Sequence, residues 1–158
     1  YTVLNIRAGQ ALDEAMKQKK EFFSLTTAAR FIHNLLRILQ RFHEHGLLHL
    51  DISPDNIFLL ETAGPEETAD VLLLDFNSVY SVEDPSEGIN GYYSGKNGYM
   101  APEVRLHQKE ELGTWTDIYS VAAVFYYILS DGTAPQDIEL AAGQNPAPRK
   151  GSFCAVGE

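Results

Sequence analysis

The chain contains the stretch His49-Leu50-Asp51-Ile52-Ser53-Pro54-Asp55-Asn56, and Asp75-Phe76-Asn77 follows nineteen positions after Asn56. Among their side chains are the carboxylates of Asp51 and Asp75 and the amide of Asn56. Hard oxygen donors of this kind suit a magnesium ion that keeps several waters or takes phosphate oxygens as its remaining ligands. The sequence therefore predicts two neighbouring loops that share one metal-assisted site.

Phosphoryl transfer from a magnesium nucleotide is the chemistry that fits this set of side chains. Such a site has to place an acceptor hydroxyl in line and neutralise the phosphate charge. Asp51 can orient the hydroxyl, while Asn56 and Asp75 can hold the metal that bridges the phosphates. Taken alone, this spacing is weak support, because Ser53 to Asn56 is equally typical of a simple turn.

Two further landmarks come later in the chain: Ala101-Pro102-Glu103 and Asp117-Ile118-Tyr119-Ser120. Four landmarks in order are much harder to obtain by chance than one. Together they resemble the C-terminal lobe of a eukaryotic-type Ser/Thr protein kinase. The resemblance covers nearly all of residues 1–158 and implies a partial kinase domain, with the hinge strand and most of the C-terminal lobe. The implied fold is α+β and mostly α, with a short β-hairpin that carries the catalytic and metal-binding loops.

The resemblance also implies roles in the chemistry. Asp51 would accept the proton of the substrate hydroxyl, and Asn56 and Asp75 would bind Mg²⁺. The implied substrates are ATP and a protein. A runner-up function is that of a pseudokinase that binds partners without catalysis. A third is a small-molecule phosphotransferase of the aminoglycoside or choline kinase type, although those enzymes generally lack the Ala-Pro-Glu segment.

The nucleotide would contact few residues of this chain. Phe58 is most simply a core strand residue, and the resemblance places the matching side chain beneath the adenine ring. The hinge backbone from Asn5 to Arg7 could touch adenine, and Ser53 would face the phosphates. The chain has no glycine-rich phosphate loop and no lysine in a Val-Ala-Ile-Lys context. It begins with Tyr1, so we expect a piece of a longer protein, inactive by itself.

Four residues are expected to support the site without taking part in the chemistry. Glu103 opens a short helix, and the resemblance implies that it pairs with an arginine located beyond residue 158. Asp117 would hold the backbone of the catalytic loop. His49 would pack under Phe76. A metal cluster of His49 with the other two histidines of this region, His43 and His45, is a weaker alternative because no acidic or cysteine partner completes it.

Three positions depart from the family pattern. Leu50 replaces an arginine that grips a phosphate on the activation loop, which predicts that the parent protein does not need phosphorylation there. Ser53 replaces the lysine that neutralises the transferring phosphate, so either another cation compensates or turnover is slow. Asn77 replaces a glycine, and its tolerance of left-handed torsions predicts that Asp75 can still be positioned.

Composition narrows the class of protein. The 158 residues are 44% hydrophobic, which is enough for a core, and the formal net charge of −10 argues against nucleic-acid or anionic-membrane partners. Cys154 is the single cysteine, and no secretory signal opens the chain, so a cytoplasmic location is expected. Val121 to Leu129 is far shorter than the roughly 20 apolar residues of a membrane span. Anchoring of the parent protein elsewhere stays open.

Hydrophobic periodicity and turn signals predict the secondary structure. The first expected helix is short and covers Leu12 to Lys20. A long helix from about 26 to His45 is capped by Thr26 or Thr27 and stopped by Gly46. A short helix of a few residues follows Pro102, and a last helix from Thr116 to Leu129 is buried on all sides. The expected strands are Tyr1 to Ile6 and a hairpin of Ile57 to Leu60 with Val71 to Leu74. Ser78 to Gly98 is expected to be a long functional loop.

Overall fold

The computed structural model describes residues 8–18, 24–60, 71–83 and 95–135. These residues have mixed helix and strand content. In chain order the elements are β1 (Gly9–Ala11), α1 (Leu12–Gln18), α2 (Leu25–Glu44), β2 (Leu47–Leu48), β3 (Ile57–Leu60), β4 (Val71–Leu73), β5 (Tyr80–Ser81), α3 (Pro102–Arg105), a 3-10 turn (Lys109–Glu111) and α4 (Thr114–Leu129). None of the helices in these ranges is long and apolar enough to cross a membrane.

The strands form two small antiparallel sheets. The first has the order β1-β3-β4, with Phe58 opposite both Ala11 and Leu72. The second pairs β2 with β5, so that Leu48 lies opposite Tyr80. The hairpin of β3 and β4 was predicted from the sequence, whereas β1, β2 and β5 were not. These three strands have only two or three residues each, which is too short for alternation to be recognised.

The main core lies between α2, α4, α1 and the first sheet. One face of α2 contributes Phe31, Leu35 and Leu39, all at helical spacing and almost fully buried. Ile57 and Leu59 of β3 point into the same core, as do Val124 and Ile128 of α4. The predicted stripe on α2 is confirmed at these three positions, while its other members, Ile32, Ile38 and Phe42, are only partly buried.

Phe58 is not a core residue, contrary to the sequence-based interpretation. Side chains alternate between the two faces of a strand, and its neighbours Ile57 and Leu59 occupy the core face. Phe58 therefore lies on the opposite face and is only half-buried. Gly9 passes close to it, and a Cβ on Gly9 would come within 2.2 Å of the Leu59 carbonyl oxygen. That close approach requires a glycine.

The ends of α2 differ from the prediction at one end only. Ser24 is the N-cap, and its hydroxyl accepts a hydrogen bond from the Thr27 amide at 3.1 Å. The predicted caps Thr26 and Thr27 are instead inside the first turn. The serine was missed because three hydroxyl residues lie close together and all suit an N-cap. At the other end Gly46 follows the helix with φ +66°, as expected of a stop residue.

The last helix, α4, is buried on one face only, which corrects the prediction of burial on all sides. Val121, Val124 and Ile128 are buried, but Tyr126 is 55% exposed and Leu129 is 50% exposed. The buried residues recur at helical spacing and face α2. The sequence of α4 is hydrophobic throughout and lacks the polar face that normally marks an amphipathic helix. Its buried and exposed faces could therefore not be told apart from the sequence.

Several predicted features lie outside the described residues. They are the strand Tyr1 to Ile6, the connection 61–70 of the hairpin, most of the long loop predicted after Ser78 and the segment from 136 onward. The described ends of that long loop are structured: β5 occupies its start, and residues 95–98 lead into Tyr99, which is buried.

Candidate active site

Two loops on either side of the β3–β4 hairpin carry the predicted site residues. We call residues 49–56 the catalytic loop and residues 74–77 the metal loop. The catalytic loop leaves β2 and enters β3, and the metal loop leaves β4. Because β3 and β4 pair in antiparallel fashion, the end of the first loop and the start of the second lie side by side.

Asp117 anchors the start of the catalytic loop. Its side chain is fully buried at the first turn of α4. One carboxylate oxygen, Oδ2, accepts from the His49 amide at 2.9 Å, and the other accepts from the Leu50 amide at 2.9 Å. His43 Nε2 of α2 also donates to Oδ2 at 2.9 Å. A buried carboxylate with three donors fixes the loop to both long helices.

Leu50 adopts a left-handed backbone conformation, with φ +62°. For a residue with a side chain this costs about 1–2 kcal/mol. Burial of the leucine and the bond of its amide to Asp117 offset that cost. The side chain packs in a second apolar cluster with Leu48, Tyr80 and Val104. An apolar side chain in this position makes no ionic contact with a phosphate, in keeping with the predicted loss of the arginine function.

Asn56 joins the two loops. Its side-chain amide donates to the Asp51 carbonyl oxygen at 2.9 Å, and its own carbonyl oxygen accepts from the Leu74 amide at 2.8 Å. Asp51 and Asn56 are both half-buried. Burial raises the pKa of the Asp51 carboxyl, a hydrogen bond from the Asn56 side chain lowers it, and the negative charge of Asp75 raises it. Asn56 therefore contacts Asp51 through its side chain and the start of the metal loop through its backbone.

The metal loop turns at Asp75, which has φ +60° and an exposed side chain. The Asn77 amide donates to Asp75 Oδ1 at 3.2 Å and helps to orient the carboxylate. This corrects the reason given above for the tolerance of Asn77. The left-handed residue is Asp75 itself, and Asn77 has an ordinary negative-φ backbone. A side chain at position 77 is therefore accommodated without strain.

The donors of Asn56 and Asp75 fit a magnesium ion better than a softer metal, because both offer only oxygen ligands. Two protein ligands leave room for phosphate oxygens and water. Among the described residues no group of three or more His, Cys, Asp or Glu side chains could hold a metal by themselves. His43 is bonded to Asp117, and His45 Nδ1 donates to the Arg41 carbonyl oxygen at 2.7 Å. Both contacts are structural, which opposes the three-histidine cluster.

His49 links the two loops through an aromatic contact. Its ring is fully buried and meets the Phe76 ring edge-on, with centroids 5.7 Å apart. Phe76, 51% exposed, stacks on Phe42 of α2 at 5.7 Å. His49 Nδ1 accepts from the Asp51 amide at 3.3 Å, and its Nε2 has no hydrogen-bond partner among the described residues. Burial lowers the pKa of His49, although the charge of Asp117 opposes this.

Glu103 has a partner among the described residues, while the arginine expected beyond residue 158 stays a prediction. Its Oε1 accepts from the Thr116 hydroxyl at 2.7 Å, and that hydroxyl oxygen accepts from the Gly113 amide at 3.1 Å. Glu103 therefore ties α3 to the start of α4, one residue before Asp117. No sequence pattern indicates this role of Thr116, because a threonine at a helix start is typical of a cap.

Ser53 is buried, and its hydroxyl donates to Asp55 Oδ1 at 2.9 Å. The same oxygen lies 2.6 Å from Lys96 Nζ, which comes from the segment before α3. Lys96 was not predicted as a site residue. The remaining predicted contacts, Asn5 and Arg7, lie outside the described residues.

A family model described as a protein kinase domain matches residues 1–143. The chain belongs to the protein kinase family. Calcium/calmodulin-dependent protein kinase cmkB of Emericella nidulans is 30% identical over 139 residues, which cover 88% of this chain and 33% of that protein. The calcium/calmodulin-dependent protein kinase type II alpha chain of Drosophila melanogaster is 30% identical over 129 residues, which cover 82% of this chain and 23% of that protein. Death-associated protein kinase 2 of Homo sapiens is 31% identical over 133 residues, covering 84% and 34%.

This kinase chain therefore spans a third or less of the length of the first two relatives and 34% of the third. All three bear the names of protein kinases. Kinases of this family generally use ATP and Mg²⁺. The matched residues include both loops described above.

Proposed function

We propose that residues 1–158 are part of the catalytic domain of a Ser/Thr protein kinase, namely the hinge strand and most of the C-terminal lobe. The parent protein transfers the γ-phosphoryl group of ATP to a serine or threonine hydroxyl of a protein substrate. The family match and the kinase relatives support this proposal. The order of the elements supports it as well, since a long helix, a two-loop hairpin and a buried-face helix follow one another.

Asn56 provides the observation that carries the proposal. Its side-chain amide donates to the Asp51 backbone carbonyl oxygen at 2.9 Å, and its backbone carbonyl oxygen accepts from the Leu74 amide at 2.8 Å. The three oxygen-bearing side chains therefore belong to two loops that are bonded to each other. A structural pair of turns would not require an acidic side chain in each loop, half-buried at Asp51 and exposed at Asp75.

In the proposed reaction Asp51 accepts the proton of the acceptor hydroxyl as that oxygen attacks phosphorus. Asn56 and Asp75 hold Mg²⁺, which neutralises phosphate charge when it is bound. The raised pKa of Asp51 suits a base, provided that the carboxyl is ionised at the working pH. Phe58, half-buried on the outer face of β3, is proposed as the floor beneath adenine, and the hinge near Asn5 and Arg7 as its edge contact.

The segment alone is proposed to be inactive. Residues 1–158 contain neither a glycine-rich phosphate loop nor a strand lysine, so half of the nucleotide site has to come from elsewhere in the parent protein. The acidic net charge of −10 favours basic or neutral protein substrates weakly. The single cysteine fits a cytoplasmic location.

The test uses the full-length parent protein and Asp51→Asn. With radiolabelled ATP, Mg²⁺ and a degenerate Ser/Thr peptide library, loss of the base is expected to lower kcat by about 10²–10⁴-fold. Asp131→Asn is the matched control, because Asp131 is exposed and far along the chain from both loops.

Each competing function gives a different result in the same assay. Magnesium-dependent ATP binding without transfer to any peptide or to the protein itself would favour the pseudokinase. Transfer to an aminoglycoside or to choline, with none to peptides, would favour the small-molecule phosphotransferase. Unchanged transfer in Asp51→Asn would contradict the role of that residue.

A further inference from the structure

The ammonium group of Lys96 lies at the catalytic loop, although Lys96 is distant from it in sequence. Its Nζ is 2.6 Å from Asp55 Oδ1, and that oxygen also accepts the Ser53 hydroxyl at 2.9 Å. Two donors from separate segments therefore meet on one carboxylate oxygen. Burial acts to raise the pKa of Asp55, but the bonds from Lys96 and Ser53 outweigh it and hold that pKa below its ordinary value.

Ser53 is the position at which the catalytic loop lacks a positive charge. The buried serine fills its place, with 1% of its surface exposed, and offers only a neutral hydroxyl. Lys96 contacts the carboxylate of Asp55, which also accepts from the Ser53 hydroxyl. A cation is thus present at this place after all, supplied by the segment before α3 and not by the loop itself.

The pairing with Asp55 does not bury Lys96. The Lys96 and Asp55 side chains are 53% and 44% exposed, so the ammonium remains accessible to a ligand. An ammonium has three N–H donors, and Asp55 accepts from one of them.

We propose that Lys96 is a catalytic residue that neutralises the transferring phosphoryl group in place of the lysine that Ser53 replaces, and that Asp55 positions it. This rests on the proposed kinase function. In the step, the acceptor hydroxyl oxygen forms a bond to the γ-phosphorus, and the bond from that phosphorus to the bridging oxygen breaks. ADP leaves with the electron pair, and the hydroxyl proton goes to Asp51. Lys96 keeps its protons and donates a hydrogen bond to a γ-phosphoryl oxygen throughout.

The experiment compares Lys96→Ala and Lys96→Gln with wild type in the full-length protein, using radiolabelled ATP, Mg²⁺ and the Ser/Thr peptide library. Removal of one such charge is expected to lower kcat by about 10²–10³-fold. The Kd for magnesium-ATP is expected to stay within about threefold of the wild-type value, and the unfolding temperature within a few degrees of it, since Lys96 is exposed. Lys96→Gln preserves most of the side-chain length and decides the matter if the alanine variant folds poorly. Lys109→Ala removes an exposed lysine elsewhere and serves as the matched control.

A second arm moves the cation back into the loop. Ser53→Lys is expected to raise kcat at least tenfold in the Lys96→Ala background, but by less than threefold in wild type, because the two positions supply one charge. Asp55→Asn is expected to lower kcat in wild type, with KM for ATP little changed, and to have no further effect once Lys96 is alanine. A purely structural role of Asp55 would lower kcat by the same factor in both backgrounds.

The outcomes separate this inference from the proposed function. A wild-type protein that transfers no phosphate overturns both. An active wild type in which Lys96→Ala and Lys96→Gln keep kcat within threefold overturns the role of Lys96 alone. The same holds if Ser53→Lys fails to restore transfer in the Lys96→Ala variant.

Discussion

The catalytic loop and the metal loop carry parts of the same proposed site, yet they are held in different ways. In the catalytic loop Ile52 and Ser53 are buried, and both amides at its start are bonded to Asp117. In the metal loop Asp75 and Phe76 are exposed. The catalytic loop is therefore fixed by the core, whereas the metal loop depends on a few contacts at its edges.

This difference matches what each loop would do in the proposed phosphoryl transfer. A base that takes a proton in line must be preorganised, because small displacements are costly in rate. A metal ligand gains part of its position from the ion itself, so it needs less support from the fold. The backbone carbonyl oxygen of Asn56 accepts a hydrogen bond from the Leu74 amide, and this bond joins the two loops.

The largest effect is expected at the anchor of the catalytic loop. Asp117→Ala leaves two buried backbone amides and His43 without their acceptor, which is expected to cost about 3–5 kcal/mol of unfolding free energy. Denaturant titration of the protein measures that loss. Hydrogen exchange at the amides of His49 and Leu50 is expected to accelerate in the same variant.

Glu110→Ala is the matched control for loss of an acidic side chain, because Glu110 is exposed in the turn before α4. It is expected to change stability by no more than about 0.5 kcal/mol. If the amides of His49 and Leu50 kept their protection in Asp117→Ala, the anchoring by this carboxylate would be disproved.

The metal loop is expected to show the opposite combination. Asp75→Asn removes a ligand charge but retains a residue that tolerates the left-handed backbone. We expect kcat to fall by about 10²–10³-fold, with the unfolding free energy changed by no more than about 0.5 kcal/mol. Steady-state kinetics over a range of Mg²⁺ concentrations, together with denaturant titration, measures both quantities.

Asp131→Asn is the matched control, since Asp131 is also exposed and also has a positive φ, of 53°. It is expected to leave both quantities unchanged. Equal loss of activity in the two variants would show that the effect at position 75 is not specific to the proposed metal ligand.

The sequence predicts the two loops better than it predicts what supports them. The residue types at Asp51, Asn56 and Asp75 and their order indicate the chemistry, and the hairpin between them follows from two apolar runs flanked by polar residues. The contact of Asp117 with the catalytic-loop backbone was implied only by the family resemblance, and its contact with His43 and the partner of Glu103 could not be read in this way. The bond of His43 to Asp117 joins residues 74 positions apart, and hydrophobic periodicity carries no information on such pairs.

Lys96 illustrates the same limit within the site. A lysine in a polar loop has no pattern that distinguishes it from a solvated charge. Only the fold brings its ammonium to the carboxylate of Asp55. Conversely, the departure at Ser53 was visible in the sequence and indicated that either another cation compensates or turnover is slow. The sequence thus predicted the missing charge but not its source.

The smallest effect is expected from the histidine that lies between the loops. Burial lowers the pKa of His49 below its ordinary value of 6.5. The unfolded chain therefore binds more protons than the native state at mildly acidic pH, and the unfolding free energy falls as the pH drops below 6.5 toward the native pKa. One proton limits this slope to about 1.4 kcal/mol per pH unit.

Denaturant titrations between pH 5 and pH 7.5 are expected to show a shallower slope in His49→Gln than in wild type. His33→Gln, at an exposed position of α2, is the matched control. A slope change no larger in His49→Gln than in His33→Gln would mean that protonation of the buried His49 ring does not destabilise the fold. The view that the core fixes the catalytic loop would then have no support at this residue.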